Sequence, residues 1–414
     1  MKISVVADCH LNRALYKGVL DKKYTTLPFR TVDFMKSFYF IVTQNIEKIK
    51  PDLMVIAGDV YDSYDPSNEV RAFFNRQLKR LSNAKIPVII LVGNHDICRK
   101  HHALSPIKSL DLDGVTVVEE PMLTIFRDKV LMLFPYSIQV ERGEKDIREQ
   151  FYEFLNESGK IIEGDEQYRG KDRIFFGHFG VKGAVLKSYS SKDSGKQKHQ
   201  INKGGDDISL ADLDEIGADY IFLGDYHQHQ VLPIKKGIAM YSGSIERTDI
   251  SECDQIKGYV VYDDDNVVDP NMGKVRFVEY PKCRPMIDLR GNSQELLKAV
   301  NDLPTKGVRG AVVRITFVGT HKELVDFSAI LDDLQKQIRN KVQPVHMYAE
   351  QKVIDDVQEK AVSQVEEELI DKGHLNEELV LKVVEEMIAE KEPDPEEQKA
   401  LIAIAQDIYK ETME

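Results

Sequence analysis

Five times in the first 230 residues a short apolar run stops at a Gly or other small residue and gives way to polar side chains. The stretches are KISVVADCH from Lys2, DLMVIAGDVYD from Asp52, PVIILVGNHD from Pro87, RIFFGHFG from Arg173 and YIFLGDYH from Tyr220. Unbroken Val, Ile, Leu and Phe runs of this length suit strands buried on both faces. Helical spacing fills the gaps, from Val32 to Lys50 and from Ser67 to Ala84. The alternation predicts a layered α/β fold with polar residues gathered at strand ends, where open α/β sheets hold their ligands.

Later stretches break the pattern. Val181 to Asp207 is rich in Ser, Lys, Gly and Gln and nearly free of apolar residues, which predicts a long surface loop. From Arg284 to Glu350 a smaller β-α-β-α-β pattern runs through PMIDLRG, SQELLKAVNDL, GAVVRITFVG, KELVDFSAILDDLQKQI and PVHMYAE. None of these elements ends in clustered ligand-type residues, as expected of an accessory domain. Beyond it three helices are predicted. Ile354, Val357, Ala361, Val365 and Leu369 form one apolar stripe stopped at Gly373. Asn376 can cap a second helix carrying Leu379, Val383 and Met387, and Asp394, Pro395 and Glu397 open a third.

Composition bounds the class. With 414 residues, 42% hydrophobic and 30% charged, the chain can bury the cores of two or three domains. No apolar stretch approaches the roughly 18 residues of a membrane span, and MKISVVADCH meets a charge too early for a signal-peptide core. Cys9, Cys98, Cys253 and Cys283 show no C-x-x-C spacing, which argues against a disulfide framework or thiolate zinc and for a reducing, cytoplasmic compartment. The net charge of -13 argues against a polyanionic partner until its distribution is read. From Gln351 to the end there are 19 acidic residues against 7 lysines, so the rest of the chain is close to neutral.

The strand ends carry the candidate chemistry. Asp8 and His10 lie two apart on an extended segment and share a face, as do Asp225 and His227. Asp59 has two oxygens that can bridge two metals, Asn94 offers an amide oxygen beside His95, and His178 adds an imidazole. Mixed nitrogen and oxygen ligands without thiolate suit manganese, iron or zinc. Each residue alone means little. D-x-H, GD-x-x-D, GNHD, GH and GD-x-H recurring at five strand exits point together to a dinuclear metal site. Such a site favours phosphate-ester hydrolysis, because two ions hold and acidify a water and clamp the attacking and leaving oxygens. A neighbouring imidazole, His95, can protonate the departing oxygen.

With these residues the chain resembles the calcineurin-like metallophosphoesterase superfamily and, within it, the SbcD-type (Mre-like) DNA double-strand-break repair nucleases. The narrower likeness rests on YSGSIERTD from Tyr241 followed by KGYVVYD, on Arg284-Pro285 opening a β-α-β unit, and on the acidic helical end. It implies a four-layer metallophosphoesterase β-sandwich flanked by helices as the nuclease domain over 1–280. It further implies a small α/β capping domain over 281–350 and an acidic C-terminal helical segment over 351–414 that docks on an SMC-like SbcC/Rad-type ATPase. The activity implied is manganese-dependent DNA exonuclease and endonuclease cleavage in repair and recombination, with two divalent ions, double-stranded DNA as substrate and a homodimer of the chain. By the same resemblance Asp8, His10 and His227 bind one ion, Asn94, His178 and Asp225 the other, and Asp59 bridges. His95 is the catalytic imidazole and Asp62 stands just outside the ligands. The family reads GHxH where this chain has Gly224-Asp225-Tyr226-His227; Asp keeps an oxygen ligand, adds charge and hardens that site toward manganese or magnesium. His229 is expected at the rim.

DNA contacts are expected among Arg13, Lys17, Lys22, Lys23 and Arg30 after the first strand, and Arg99, Lys100, His101 and His102 after GNHD. The competing reading is a calcineurin-like phosphoesterase acting on a small molecule or a phosphoprotein, which leaves the capping domain and acidic helices without a role. A third, a non-catalytic scaffold, conflicts with the intact Asp8, His10, Asp59, Asn94, His95 and His178.

Overall fold

The computed structural model describes residues 1–353 apart from 17, 18, 22, 24, 25, 99–105, 108, 109, 191–196, 202–207 and 268. The three helices predicted from Ile354 onward lie outside the described residues, as do Lys17, Lys22, Arg99, Lys100, His101 and His102. The chain divides into two units, Met1–Ile287 with Gly310–Val312, and Asp288–Arg309 with Val313–Glu414.

Among the described residues the first unit is built on two six-stranded sheets. One runs in the order Val275–Glu279, Gly258–Asp263, Lys2–Val6, Leu53–Ala57, Val88–Leu91, Val115–Val118, its last four strands parallel. The other runs Gln230–Leu232, Ile238–Tyr241, Tyr220–Gly224, Arg173–His178, Lys129–Phe134, Met122–Phe126, with four parallel central strands and antiparallel edges. Period-two alternation sends successive side chains to different cores. Leu53, Val55 and Ala57 pack between the sheets with Leu131, Ile174, Phe176 and Phe222, while Met54 and Ile56 pack outward. The helices Phe29–Gln44 and Asn68–Asn83 cover that outer face through Phe34, Phe38, Phe74 and Leu78. Helix Ile147–Gly164 covers the outer face of the second sheet, where Phe151 and Phe154 meet Phe134 and Phe175. The result is the expected four-layer α/β sandwich. Coverage on both faces is why the strands are apolar throughout, each buried large side chain contributing about 1.5–3 kcal/mol.

Ser67 accepts the backbone N–H of Val70 and so starts the second helix where the sequence places it. The first helix begins at Phe29, ahead of the predicted Val32, and ends in a π-helical turn, Asn45–Ile49, closed by Lys50 in the left-handed region at φ 50°. The predicted loop from Val181 to Asp207 is a correction. Val185–Ser190 and Gln197–Ile201 pair antiparallel, and Val181–Lys182 pairs with Ile208–Ser209. A hairpin held by its backbone ladder needs no apolar stripe, so periodicity could not reveal it.

Most of the second unit's strand residues belong to a three-stranded sheet of Met286–Gly291, Val312–Gly319 and His346–Val353, with Val312–Gly319 at its centre. Its helices, Ser293–Asn301 and His321–Val342, each open on a capping box, Asn292 with Glu295 and Thr320 with Glu323. Arg314 grips Asp288 through two hydrogen bonds of 2.9 and 2.7 Å. Among the described residues no helix is long and apolar enough to cross a membrane.

Candidate metal centre

The parallel strands deliver their carboxyl ends to one edge of the sandwich, and the backbone ties the exits together. Asp8 N–H donates to Gly58 O at 3.2 Å, His10 N–H to Asp59 O at 3.0 Å, and Asp225 N–H to the Asp8 carboxylate at 3.0 Å. Asp8, His10, Asp59 and Asp225 all have positive φ, at 49°, 40°, 51° and 100°. Non-glycine residues in such conformations cost on the order of 1–3 kcal/mol each and persist where packed surroundings hold them, typically at functional sites. Gly58, at φ 86°, makes room for the cluster: a Cβ there would lie 2.0 Å from His178 Nδ1.

Among the described residues three trios each place one ligand atom per residue within 4.8 Å of the others: Asp8, His10 and His227; His10, Asp59 and His95; Asp8, Asp59 and His178. Shared members fuse them into one cluster, buried at Asp8, His10, Asp59 and His178 and open to solvent at His95 and His227. Asp59 is its pivot, with Oδ2 3.7 Å from His10 Nε2 and Oδ1 3.4 Å from His178 Nε2. One carboxylate thus reaches toward two separate imidazoles, the arrangement that bridging two ions requires. On one side the Nε2 atoms of His10 and His227 face each other at 3.2 Å. On the other, His178 donates from Nδ1 to Ala57 O at 2.9 Å, so that Nε2 faces Asn94 Oδ1 at 3.0 Å. Two acceptors opposed in this way call for a proton or a metal cation between them.

The electrostatics say the same. Burial opposes a charged His178, yet Asp59, Asp8 and Asp225 outweigh it and lift its pKa to about 10. Burial would also raise Asp59, but His178, His10 and His95 hold it well below the usual carboxylate range. Asp225 is pushed up to about 6 by burial, with Asp59 and Asp8 adding to the rise against the pull of His178. Asp8 Oδ2 is buried without a hydrogen-bond partner. An orphaned carboxylate oxygen among crowded carboxylates and imidazole nitrogens fits divalent cations well.

The other predicted residues fall outside the trios. The Asp225 carboxylate joins none of them. Asp62 accepts Arg13 Nη1 at 2.7 Å and, through its carbonyl, His95 Nδ1 at 2.9 Å, so it orients His95. Arg13 is therefore held in the site by Asp62. Arg30 is a correction: it is fully buried, bonded to Asp33 at 2.7 Å and to Arg247 O, and offers no surface to DNA. Lys23 lines a hollow of about 580 Å³ beside Met35, Tyr39, Phe73 and Tyr280. His229 donates to Tyr241 O at 2.8 Å and stacks on Phe277, consistent with a role off the metals.

Two supporting carboxylates escaped the sequence reading. Asp96, of GNHD, is buried and accepts the N–H groups of Val60, Tyr61 and Gly93 at 3.0–3.2 Å, joining the loop that carries Asp59 to the loop that carries Asn94 and His95. Glu252 accepts His227 Nδ1 at 2.9 Å and pairs with buried Lys257 at 2.7 Å. Nothing in the local pattern of DISECDQIK marks it.

A curated relative, the SbcD subunit of nuclease SbcCD from Staphylococcus epidermidis, is 26% identical over 324 residues, spanning 72% of this chain and 74% of its own. Among solved structures, a dimetal phosphatase from Danio rerio aligns at 10% identity and TM-score 0.38 over 63% of this chain and 91% of its own. The phosphopantetheinyl hydrolase from Mycobacterium tuberculosis aligns at 13% identity and TM-score 0.32, over 59% of this chain and 90% of its own. The model of the calcineurin-like phosphoesterase family matches residues 1–229, more than half of the sequence and every strand exit of the cluster, and the chain belongs to that family.

Proposed function

We propose that the chain is a manganese-dependent DNA nuclease, cutting phosphodiester bonds as both exonuclease and endonuclease, and the nuclease subunit of an SbcCD-like repair and recombination complex. The observation that supports it most is Asp59 set between His10 and His178, which suits a two-metal site, taken with the relative that bears the SbcCD nuclease name. Asp8, His10 and His227 would hold one ion, Asn94, His178 and Asp225 the other, with Asp59 shared. When bound, the two ions supply Lewis-acid polarisation of the phosphodiester and a nucleophile at neutral pH. The chain's own contribution is orientation and proton transfer. With Nδ1 donating to Asp62 O, His95 turns Nε2 toward the substrate, where the imidazolium form, with its second proton on Nε2, would give that proton to the departing oxygen. Residues 281–350 act as a capping domain and 351–414 as the docking segment for an SMC-like ATPase, in a cytoplasmic homodimer. A segment with 19 acidic residues against 7 lysines suits a protein groove better than DNA.

The test is purified full-length chain with manganese, assayed on linear duplex DNA and on a chromogenic phosphodiester. Cleavage of both is expected, with His95→Gln lowering both by about 10²–10⁴-fold while manganese uptake persists. Hydrolysis of the small ester with intact duplex, in the presence and absence of the ATPase, would refute the nuclease assignment. Truncation after Glu350 should abolish co-purification with the ATPase and spare the small-ester activity.

A further inference from the structure

Behind His227 lies a buried polar assembly that the ligand set does not use. Glu252, 6% exposed, accepts His227 Nδ1–H at 2.9 Å and Thr248 Oγ1–H at 2.5 Å on Oε1. Its Oε2 takes the Thr248 backbone N–H at 2.8 Å and Lys257 Nζ at 2.7 Å. Lys257, 1% exposed, also reaches the backbone carbonyl of His227 at 2.9 Å. The segment carrying Glu252 is itself stapled: the Arg247 guanidinium donates to the carbonyls of Glu252, Gln255 and Arg284 at 3.1, 3.0 and 2.8 Å. One ammonium thus touches both His227 itself and the carboxylate that holds its ring. An ion pair placed for stability alone needs no contact with His227, and buried pairs are weak stabilisers because desolvation offsets their attraction.

We infer that Glu252 is a positioning residue for His227: by accepting Nδ1–H it keeps the ring's lone pair on Nε2, the atom 3.2 Å from His10 Nε2, with Lys257 fixing carboxylate and carbonyl in one frame. Carboxylates that receive the outer N–H of a ligand imidazole commonly set its tautomer and aim. The inference rests on the metal reading of the cluster, and its test can fail separately from that reading.

In Glu252→Gln the amide oxygen stays on the Lys257 ammonium, because only the oxygen can accept from it, and the amide NH2 is left facing His227 Nδ1. Thr248 Oγ1, 2.8 Å from the same Nδ1, gives its proton to Glu252 in the wild type; in the variant it accepts from the amide NH2 and its own proton turns to Nδ1. The ring proton then moves to Nε2 and the lone pair leaves the side of His10. Glu252→Asp keeps the charge and the acceptor one methylene shorter. Full-length chain labelled with ¹⁵N-histidine is observed metal-free at alkaline pH, where the ring is neutral, and then titrated with manganese alone by calorimetry. The wild type is expected to show the Nδ1–H tautomer at His227. The Gln variant should show Nε2–H and a loss of about 10–100-fold in one manganese-binding step only, while the Asp variant retains the wild-type tautomer and loses less. A Gln variant with the wild-type tautomer overturns the inference whatever its affinities. A wild type that takes up no manganese, with the tautomer switch intact in the Gln variant, refutes the metal reading and supports the role of Glu252.

Discussion

Gly58→Ala probes how closely the strand exits are fitted. Gly58 has φ 86°, and a Cβ there would sit 2.0 Å from His178 Nδ1 and 2.3 Å from its Cγ. Two costs are predicted. Holding alanine in the left-handed region costs about 1–2 kcal/mol. Contact distances near 3.5 Å then require the imidazole to retreat by roughly 1.5 Å, which breaks its 2.9 Å bond to Ala57 O and leaves a buried group unpaired, at about 1–3 kcal/mol. The expected loss is therefore about 2–5 kcal/mol. Gly114 supplies the control, since its φ is 78° and nothing lies within 4 Å of where a Cβ would stand. Gly114→Ala should lose only the backbone cost. Urea unfolding gives both numbers, and manganese-dependent hydrolysis of a chromogenic phosphodiester gives the functional consequence. A ring displaced by more than about 1 Å should lower the rate by about 10²-fold in Gly58→Ala and leave Gly114→Ala at the wild-type rate. Two variants indistinguishable in stability and rate would refute the reasoning.

Asp225→His removes a negative charge from beside Asp59 and Asp8, the residues that help burial lift its pKa to about 6. Hydrolysis should survive, with the rate ratio shifting from manganese toward softer ions such as cobalt or zinc, and complete loss of metal uptake would show the position misassigned. Asp212 makes a pH-dependent contribution. Burial tends to raise its pKa, but the Tyr152 hydroxyl, the Ser209 N–H and Arg148 lower it from 3.8 to about 2. A lowered folded-state pKa means stability present above about pH 4 and lost as pH falls through about 2, worth about 2 kcal/mol. The unfolding free-energy gap between wild type and Asp212→Asn should therefore shrink over that range, and a gap that stays constant would contradict it. Lys129, buried at the opposite end of the strands, holds Asp172 at 2.6 Å and Asp264 at 3.0 Å, one beside each sheet. Asp172 is largely exposed and Asp264 keeps Lys274 at 2.6 Å, so Lys129→Met should cost only about 1–2 kcal/mol in urea unfolding without changing phosphodiester hydrolysis; equal stability would mean the clamp contributes nothing.

The sheets were legible because burial on both faces writes itself into consecutive residues. LMVIA at Leu53–Ala57 feeds two cores at once, and no exposed position interrupts it. The hairpin of Val185–Ser190 with Gln197–Ile201 obeys the opposite logic: its order comes from backbone pairing, which any polar sequence can supply, and composition alone therefore suggests a loop. Arg30 shows the matching limit for charge. It follows the first strand among other basic residues, and only the fold reveals Asp33 and the Arg247 carbonyl as its partners.

The same distinction separates the cluster from its supports. Asp8, His10, Asp59, Asn94, His178 and His227 each stand at or just beyond the exit of an apolar run, so the run marks them in the sequence; the extended geometry expected of Asp8 and His10 is a correction, since both sit in left-handed backbone, as does Asp59. Asp96 and Glu252 are defined by what they accept. Asp96 belongs to the GNHD motif, but its work is to receive the N–H groups of Val60 and Tyr61, the latter from a position 35 residues earlier. Its own pKa rises to about 7 because burial and Asp59 both disfavour its charge, while the three N–H donors oppose them. A carboxylate in that position would be expelled from a core unless the chain returned donors to it, and the donors come from loops whose course depends on both sheets being assembled. Residues that bind outward ligands can be found from the strand that presents them, whereas residues that bind inward depend on the whole fold, and the positioning of His227 by Glu252 belongs to the second kind.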